Sequence, residues 1–305
     1  MKTVIAGGTG FLGGALRDAL VRDGHEVAIL SRSAGGSRQS SVRLVAWTPD
    51  GTTGAWASEI DGADAVINLA GESIAGRRWT SAQKQRILDS RVLATRSLVG
   101  AVRSATRPPS VFVSGSAVGY YGPLDDVIVR EDRQSGTDFL SQVCVQWETE
   151  AGRARAQARV VCVRTGIVLE RDGGALPKML PPFWFGAGGP VGSGRQYWPW
   201  IHRQDWVDLV RFAIRAPGVS GPLNATAPEP VTNKDFATAL GRALHRPAFL
   251  PTPGFALRIL LGEMADALLL SGQRAVPAKA EQLGFRFAHR DVHSALEAIF
   301  SRKAS

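Results

Sequence analysis

The segment Gly7–Gly14 reads GGTGFLGG, and it restricts the possible folds of this chain more than any other segment. It contains the spacing G-x-G-x-x-G, follows an apolar run at Thr3–Ala6 and precedes helical spacing at Gly13–Asp23. Glycines in this pattern allow a tight turn and let a pyrophosphate approach the backbone. The start of the following helix offers free N–H groups and a positive dipole end. The segment therefore predicts a strand–turn–helix unit that binds a dinucleotide.

Short apolar runs and amphipathic stretches alternate through the first half of the chain. After the first strand, further strands are predicted at 25–30, 65–69, 111–114 and 159–169, and the two clearest helices at 80–103 and 137–151. Strands that alternate with helices of ten or more residues favour a parallel sheet with helices on both faces. The predicted fold class is α/β, a Rossmann-type doubly wound parallel sheet.

The pattern changes after Asp172. The segment Gly173–Gly194 is rich in glycine and proline without a sustained period, so we expect irregular structure of the kind that often forms lids or binding loops. Beyond it, helices are predicted near 204–216, 233–244, 254–270 and 291–300. We therefore expect a dinucleotide-binding domain over residues 1–222 and a smaller, mainly helical C-terminal lobe over residues 223–305.

The formal net charge of +9 invites the hypothesis of a nucleic-acid partner. The arginines are spread along the whole chain, however, and no run of five to eight residues is predominantly basic. No zinc-finger or aromatic–basic RNA-binding motif occurs either. Dispersed arginine is typical of a solvated surface, so we expect no nucleic-acid partner.

The two cysteines, Cys144 and Cys162, lie among apolar neighbours and lack metal-ligand spacing. We interpret them as buried thiols of a protein from a reducing compartment, which predicts a cytoplasmic location and no metal site. No apolar run reaches the roughly 18 residues that a membrane helix needs. Charged residues interrupt the best candidate, 255–270, so we expect no membrane association.

The end of the second predicted strand indicates which dinucleotide is bound. An acidic residue there would bond the ribose 2′-hydroxyl of NAD, whereas an arginine accommodates the 2′-phosphate of NADP. The chain has Ser31 and Arg32 at this place and no acidic residue between Glu26 and Asp50. Forked guanidinium donors with a fixed charge suit a phosphate, so NADP is predicted over NAD, unless Arg32 is merely a solvated loop residue.

Nine stretches in order cover nearly the whole chain and match one family. They are GGTGFLG (7–13), AVINLAGESI (65–74), RRWTSAQKQRILDSR (77–91), VSGSAVGYYG (113–122), WE (147–148), VRTGIVL (163–169), WPWIHRQDWV (198–207), LNATAPEPVTNKDF (223–236) and GEMADALLL (262–270). The chain resembles NAD-dependent epimerase/dehydratase proteins, within the extended or atypical short-chain dehydrogenase/reductase superfamily. The resemblance implies a Rossmann sheet, a C-terminal domain of unknown function over about 250–298, and a homodimer.

The resemblance also implies which residues hold the cofactor. These are Gly7, Gly10, Phe11, Leu12 and Gly13 at the pyrophosphate, Ser31 and Arg32 at the adenosine phosphate, and Leu69, Ala70, Gly71 and Glu72 along the ribose near the nicotinamide. The placement agrees with the rule that ligands of such sheets bind beyond the carboxyl ends of the strands. Glu72 either bonds a ribose hydroxyl, serves as a base or simply closes a strand.

One departure from the superfamily concerns its proton-transfer residues. Members use a Tyr-x-x-x-Lys pair on a helix, in which the lysine lowers the pKa of the tyrosine. None of the three tyrosines of this chain has a lysine four residues later. Alignment on Trp147 and Glu148 places Leu140 and Cys144 at the two positions, and Cys144 has no neighbouring base that would make it a nucleophile.

Four residues are candidates to replace the missing pair. Ser116, Tyr120 and Tyr121 leave a strand at the cofactor edge, and His202 is a natural proton shuttle near neutral pH. Alternatively, the two tyrosines pack a loop and His202 caps the helix that starts near Asp205. Aromatic residues around the Gly-rich segment, Phe183, Trp184, Phe185, Trp198, Trp200 and Trp206, form either an apolar substrate pocket or a core between lobes.

Two functions are therefore predicted. The first is an NADP(H)-dependent oxidoreductase or epimerase with atypical proton-transfer residues, acting on a small carbonyl or alcohol substrate. The alternative is a non-catalytic NADP(H)-binding protein, a redox sensor or a partner-binding module. The missing pair favours the alternative, and the cofactor-binding loops and aromatic residues favour the enzyme.

Overall fold

The computed structural model describes residues 1–33, 38–39 and 41–301. Its strands, in chain order, are β1 (Lys2–Ala6), β2 (Glu26–Ser31), β3 (Arg38–Gln39), β4 (Val42–Ala46), β5 (Ala65–Asn68), β6 (Val111–Ala117), β7 (Leu124–Val129), β8 (Arg159–Thr165), β9 (Ile167–Leu169), β10 (Tyr197–Trp198), β11 (Trp200–His202), β12 (Gly221–Ala225), β13 (Val231–Thr232) and β14 (Gln273–Ala275).

The helices surround these strands. In chain order they are α1 (Phe11–Arg22), α2 (Ser81–Ser104), α3 (Phe139–Gly152), α4 (Leu176–Trp184), α5 (Arg203–Arg215), α6 (Asn233–Ala243), α7 (Gly254–Leu261), α8 (Glu263–Ala265), α9 (Ala278–Gln282) and α10 (Val292–Ser301). Short 3-10 helices lie at Ala55–Glu59 and Val118–Tyr121, and a π-helical turn at Asp266–Leu270.

Eight strands form one central sheet in the order β12-β8-β6-β5-β1-β2-β4-β3. The first seven are parallel, and β3 pairs antiparallel with β4 at the edge. From β1 the strand order continues through β2 and β4 to one edge of the sheet, and from β5 it continues through β6 and β8 to the other. The carboxyl ends of β1 and β5 therefore mark the point where such sheets bind ligands. The predicted doubly wound Rossmann sheet is confirmed.

Apolar residues of the sheet are buried on both faces because helices cover both. Ile5 packs with α1 and α5, and its neighbour Val4 packs on the opposite face with α2. Adjacent strand residues point to opposite faces, so an uninterrupted apolar run such as 65–67 is required for a sheet covered on both sides.

The C-terminal region is helical, as predicted, and its helices α6 and α10 share an apolar cluster with α4, Trp198 and Trp200 from before residue 222. The last strand of the central sheet, β12, spans the position 222 at which we divided the chain. The predicted helix at 254–270 is interrupted, because Gly262 adopts a φ of +64° and separates α7 from α8.

The prediction of irregular structure across Gly173–Gly194 is wrong for its central part, which forms α4. Pro177 occupies the first turn, where a missing N–H costs no helical hydrogen bond. Leu176, Leu180 and Phe183 recur at helical spacing and are buried. None of the helices in the described part of the chain is long and apolar enough to span a bilayer.

Candidate functional site

The glycine-rich turn connects β1 to α1 at the carboxyl edge of the sheet. Gly7 has a φ of +82°, and a Cβ atom there would lie 2.8 Å from the carbonyl oxygen of Leu69. A Cβ atom on Gly13 would lie 2.1 Å from the carbonyl oxygen of Gly7. Both positions therefore exclude every side chain, and the turn packs directly against the end of β5.

The first turn of α1 is free to bind an anion. Its N-cap is Gly10, which has no side chain to accept hydrogen bonds from the helix, and the first turn has no acidic residue. The free N–H groups and the positive end of the dipole are thus available to a phosphate. Phe11 and Leu12 begin this helix, and the Phe11 ring packs against Gly173 and Gly174 in the segment between β9 and α4.

The end of β2 lies beside this turn. Ser31 donates a hydrogen bond from its hydroxyl to the Ser33 carbonyl oxygen at 3.2 Å. Arg32 is exposed and forms no hydrogen bond or ion pair with the described residues. The end of β2 thus carries a hydroxyl and a guanidinium that has no anionic partner among the described residues.

The segment Leu69–Glu72 leaves β5 next to the glycine turn, and a buried amide holds it. Asn68 donates from Nδ2 to the Thr95 hydroxyl at 2.9 Å and accepts from the Ala70 N–H at 3.2 Å. The Glu72 N–H donates to the Ser90 hydroxyl at 2.9 Å. The sequence prediction missed Asn68 as a positioning residue, although an amide inside the apolar run AVINLA was a visible signal.

Ser116, at the end of β6, is part of a buried charged network. Its hydroxyl donates to Glu148 Oε1 at 2.6 Å. Arg164 on β8 donates to both oxygens of Glu148, from Nε and Nη2, each at 2.8 Å. Burial alone would lower the pKa of Arg164, but its hydrogen bonds to Glu148 hold that pKa above the usual value. Arg164 was not among the predicted site residues.

Tyr121 and Tyr120 pack on the other side of Arg164. The Tyr121 hydroxyl donates to Asn224 Oδ1 at 2.7 Å and accepts from Arg164 Nη1 at 2.9 Å. Burial raises the pKa of Tyr121 to about 12. The ring centroid of Tyr120 lies 3.5 Å from the Arg164 guanidinium carbon. These contacts favour the alternative in which both tyrosines pack the loop.

The geometry of His202 favours the alternative in which it caps a helix. It is the N-cap of α5, and its Nδ1 accepts from the Gln204 N–H at 3.0 Å. Its ring stacks on His289 with 3.9 Å between centroids. Asp205 accepts from the N–H groups of Ala288 and His289, so this cluster ties the C-terminal segment to α5.

Leu140 and Cys144, which the sequence alignment places at the positions of the missing Tyr-x-x-x-Lys pair, lie on α3. Leu140 packs against Gly119. The Cys144 thiol lies 3.7 Å from the Ala117 carbonyl oxygen, and burial raises its pKa to about 11. The thiol is therefore neutral near pH 7 and supplies neither the charge nor the basicity of a lysine.

Most of the predicted aromatic cluster belongs to the core. Four of its members, Phe183, Trp198, Trp200 and Trp206, are buried, whereas Trp184 and Phe185 are 55% and 87% exposed. This distribution favours the core alternative over an aromatic pocket for the buried four. Within the described ranges, no three His, Cys, Asp or Glu side chains come together as they would around a metal ion.

Two family models match the chain. The NAD dependent epimerase/dehydratase family covers residues 3–224, and a domain of unknown function, DUF1731, covers residues 252–299. The Epimerase family protein YfhF of Bacillus subtilis is 42% identical over 303 residues, which span 99% of this chain and 98% of the relative.

Solved structures of epimerase proteins also match the chain. The human epimerase family protein SDR39U1 (isoform 2), crystallised with NADPH, is 36% identical, with a TM-score of 0.89 and coverage of 99% of this chain and 100% of that one. A nucleoside-diphosphate sugar epimerase from Corynebacterium glutamicum is 32% identical, with a TM-score of 0.79 over 99% of this chain and 59% of that one. The predicted cofactor class, a nicotinamide dinucleotide, agrees with the NADPH of the human structure, with the family model and with the glycine turn. The chain belongs to the NAD-dependent epimerase/dehydratase family.

Proposed function

We propose that the protein is an NADP(H)-dependent oxidoreductase or epimerase that acts on a small carbonyl or alcohol substrate. The observation that carries the proposal is the pairing of the glycine turn with Arg32, an exposed cation without a partner among the described residues. The crystal structure of human SDR39U1 with NADPH supports the same cofactor, because that chain is similar over its whole length.

Different residues at the carboxyl edge of the sheet bind different parts of this cofactor. The turn at Gly7–Gly13 and the N-terminus of α1 hold the pyrophosphate, and Ser31 and Arg32 hold the 2′-phosphate. Leu69–Glu72, fixed by Asn68, lies along the nicotinamide ribose. When bound, the nicotinamide ring supplies or accepts the hydride.

Ser116 is the proposed residue for proton transfer. Its Oγ takes the proton of a substrate alcohol while its own proton passes to Glu148 Oε1, 2.6 Å away. In carbonyl reduction the same two protons move in the opposite direction, so the hydroxyl is restored in either case. Arg164 keeps Glu148 oriented toward Ser116 throughout.

Removal of the Arg32 guanidinium tests the cofactor preference. We expect Arg32→Ala to weaken NADPH binding about tenfold, the effect of losing a charge-assisted hydrogen bond, and to leave NADH binding unchanged. Titration of both cofactors by fluorescence measures the two dissociation constants. Arg22→Ala removes an exposed arginine at the far end of α1 and serves as the control for net charge. Equal losses in the two variants would contradict the assignment of Arg32.

Removal of the Ser116 hydroxyl tests proton transfer. NADPH-loaded protein is first screened against carbonyl compounds and nucleotide sugars to find a substrate. We then expect Ser116→Ala to lower kcat on the order of 100-fold, as the loss of a general acid–base group does. Ser110→Ala, at the opposite end of β6, should retain full turnover. If Ser116→Ala retains it as well, while Tyr120→Phe does not, the proton passes through Tyr120.

A non-catalytic NADP(H)-binding protein is the second candidate, and one observation favours it. The sequence alignment places Leu140 and Cys144 at the positions of the superfamily's proton-transfer pair, and the Cys144 thiol is neutral. Tight NADPH binding by wild type without turnover of any compound in the screen would establish this second function over the first.

A further inference from the structure

Arg91 lies in the middle of α2, against the segment that leaves β5. A Cβ atom on Gly71 would lie 3.2 Å from the Arg91 Cζ atom, so the guanidinium packs directly under the backbone of this segment. On its other side the guanidinium carbon lies 5.3 Å from the ring centroid of Trp147 on α3. Gly71 belongs to the part of the cleft that we assign to the nicotinamide ribose, so Arg91 lies beside the reacting end of the cofactor.

This arginine has no counter-ion. No carboxylate in residues 1–33, 38–39 and 41–301 forms an ion pair with it. The charge of Glu72 acts on it electrostatically, but Glu72 accepts no hydrogen bond from it. Burial lowers the pKa of the Arg91 guanidinium, although an arginine remains charged at neutral pH. A partly buried cation without an anion has lost part of its hydration, and an anionic ligand would compensate for that loss.

The hydrogen bonds of Arg91 leave one side of the guanidinium available. Nη1 donates to the Ile87 carbonyl oxygen at 2.9 Å, one helical turn earlier. Nε and Nη2 donate to no atom in the described part of the chain. Both are in contact with solvent, because neither is fully buried. These two nitrogens present parallel N–H groups at the spacing of the two oxygens of a carboxylate.

A second donor without a partner lies in the same cluster. The Trp147 Nε1–H is buried and donates to no described atom, while the indole ring packs against Gly115 at the end of β6. Buried donors in native proteins nearly always have an acceptor, which a ligand or an ordered water provides where the protein does not. The buried Trp147 N–H and the solvent-facing Nε and Nη2 of Arg91 thus have no acceptor among the described residues, and the two side chains are in contact.

We propose that Arg91 binds a carboxylate of the substrate, through Nε and Nη2. The inference deepens the proposed function, on which it rests, because it assigns the substrate to the small carboxylic acids that carry the reacting carbonyl or alcohol group. Arg91 also supplies positive charge near Cys144, the position where the superfamily has its lysine, but it does so from a different helix.

Matched acids and amides test the assignment without a known substrate. Oxamate and succinate, and their uncharged counterparts oxamide and succinamide, are titrated calorimetrically into the NADPH-loaded protein. We expect at least one acid to bind about tenfold or more tightly than its amide, as a hydrogen-bonded charge pair implies. In Arg91→Gln this preference disappears and NADPH binding stays within about twofold of wild type. Arg91→Lys, which keeps the charge and loses the fork, retains part of the preference.

Arg103→Gln removes an exposed arginine from the last turn of the same helix and should change neither binding constant. The inference is overturned if neither acid binds better than its amide, if Arg91→Gln keeps the preference, or if Arg91→Gln loses NADPH binding, which would assign Arg91 to the cofactor. Failure of wild type to bind NADPH would instead overturn the proposed function itself, so the two failures are distinguishable.

Discussion

Gly13→Ala is expected to abolish useful NADPH binding. The new methyl group would lie 2.1 Å from the Gly7 carbonyl oxygen and 2.8 Å from the Gly8 Cα atom. Both neighbours are backbone atoms of the turn, so the turn itself must move, and its N–H groups leave the positions that hold the pyrophosphate. Loss of two hydrogen bonds to the charged pyrophosphate, each worth about 1.5 kcal/mol, weakens binding on the order of 100-fold. The dissociation constant for NADPH, measured by fluorescence titration, checks the prediction.

Gly14→Ala is a matched control for this variant. It adds the same methyl group one residue later, where nothing lies within 4 Å of the new atom. Gly14 lies inside α1, and alanine favours a helix over glycine by roughly 0.5–1 kcal/mol. We therefore expect unchanged NADPH binding and a slightly higher melting temperature. If Gly13→Ala binds NADPH as tightly as Gly14→Ala, the turn does not hold the pyrophosphate.

The parts of the structure that were predictable from the sequence are those with local causes. The turn at Gly7–Gly14 was predictable because its geometry excludes side chains at fixed positions, whatever the rest of the chain does. The sheet was predictable because strands buried on both faces require uninterrupted apolar runs such as 65–67. The central part of Gly173–Gly194 was mispredicted because its prolines hide the helical spacing of Leu176, Leu180 and Phe183.

The chemistry of the site was less predictable because it depends on partners distant in sequence. Tyr121 has a residue type suited to proton transfer, but its hydroxyl donates a hydrogen bond to Asn224, which lies 103 residues away in the sequence. His202 also has a residue type suited to proton transfer, but it lies at the start of α5 with the His289 ring stacked on it. Arg164 and Arg91 were absent from the predicted site, because residue spacing does not show which of thirty-six basic residues the fold encloses.

Glu148→Gln is expected to destabilise the protein by about 3–5 kcal/mol, the usual cost of removing one partner from a buried ion pair. The side chains of Arg164 and Glu148 are only 3% and 13% exposed, and the pair is bidentate. Without the carboxylate, the guanidinium remains enclosed beside Tyr120 and Tyr121 with no anion. The free energy of unfolding from urea titration measures the loss.

Glu150→Gln is the comparison variant, because it removes a buried carboxylate of α3 (5% exposed) whose arginine partners, unlike Arg164, are exposed. Glu150 pairs with Arg96 and Arg153, which are 47% and 58% exposed, so the arginines left behind remain solvated. We expect this variant to cost less than Glu148→Gln, because neither arginine is left as a buried charge without an anion. Adding Arg164→Met to Glu148→Gln should restore part of the lost stability, because it removes the unpaired charge. If Glu148→Gln and Glu150→Gln lower the free energy of unfolding equally, and the double variant recovers none of it, the Glu148–Arg164 pair does not stabilise the carboxyl edge of the sheet where Ser116 lies.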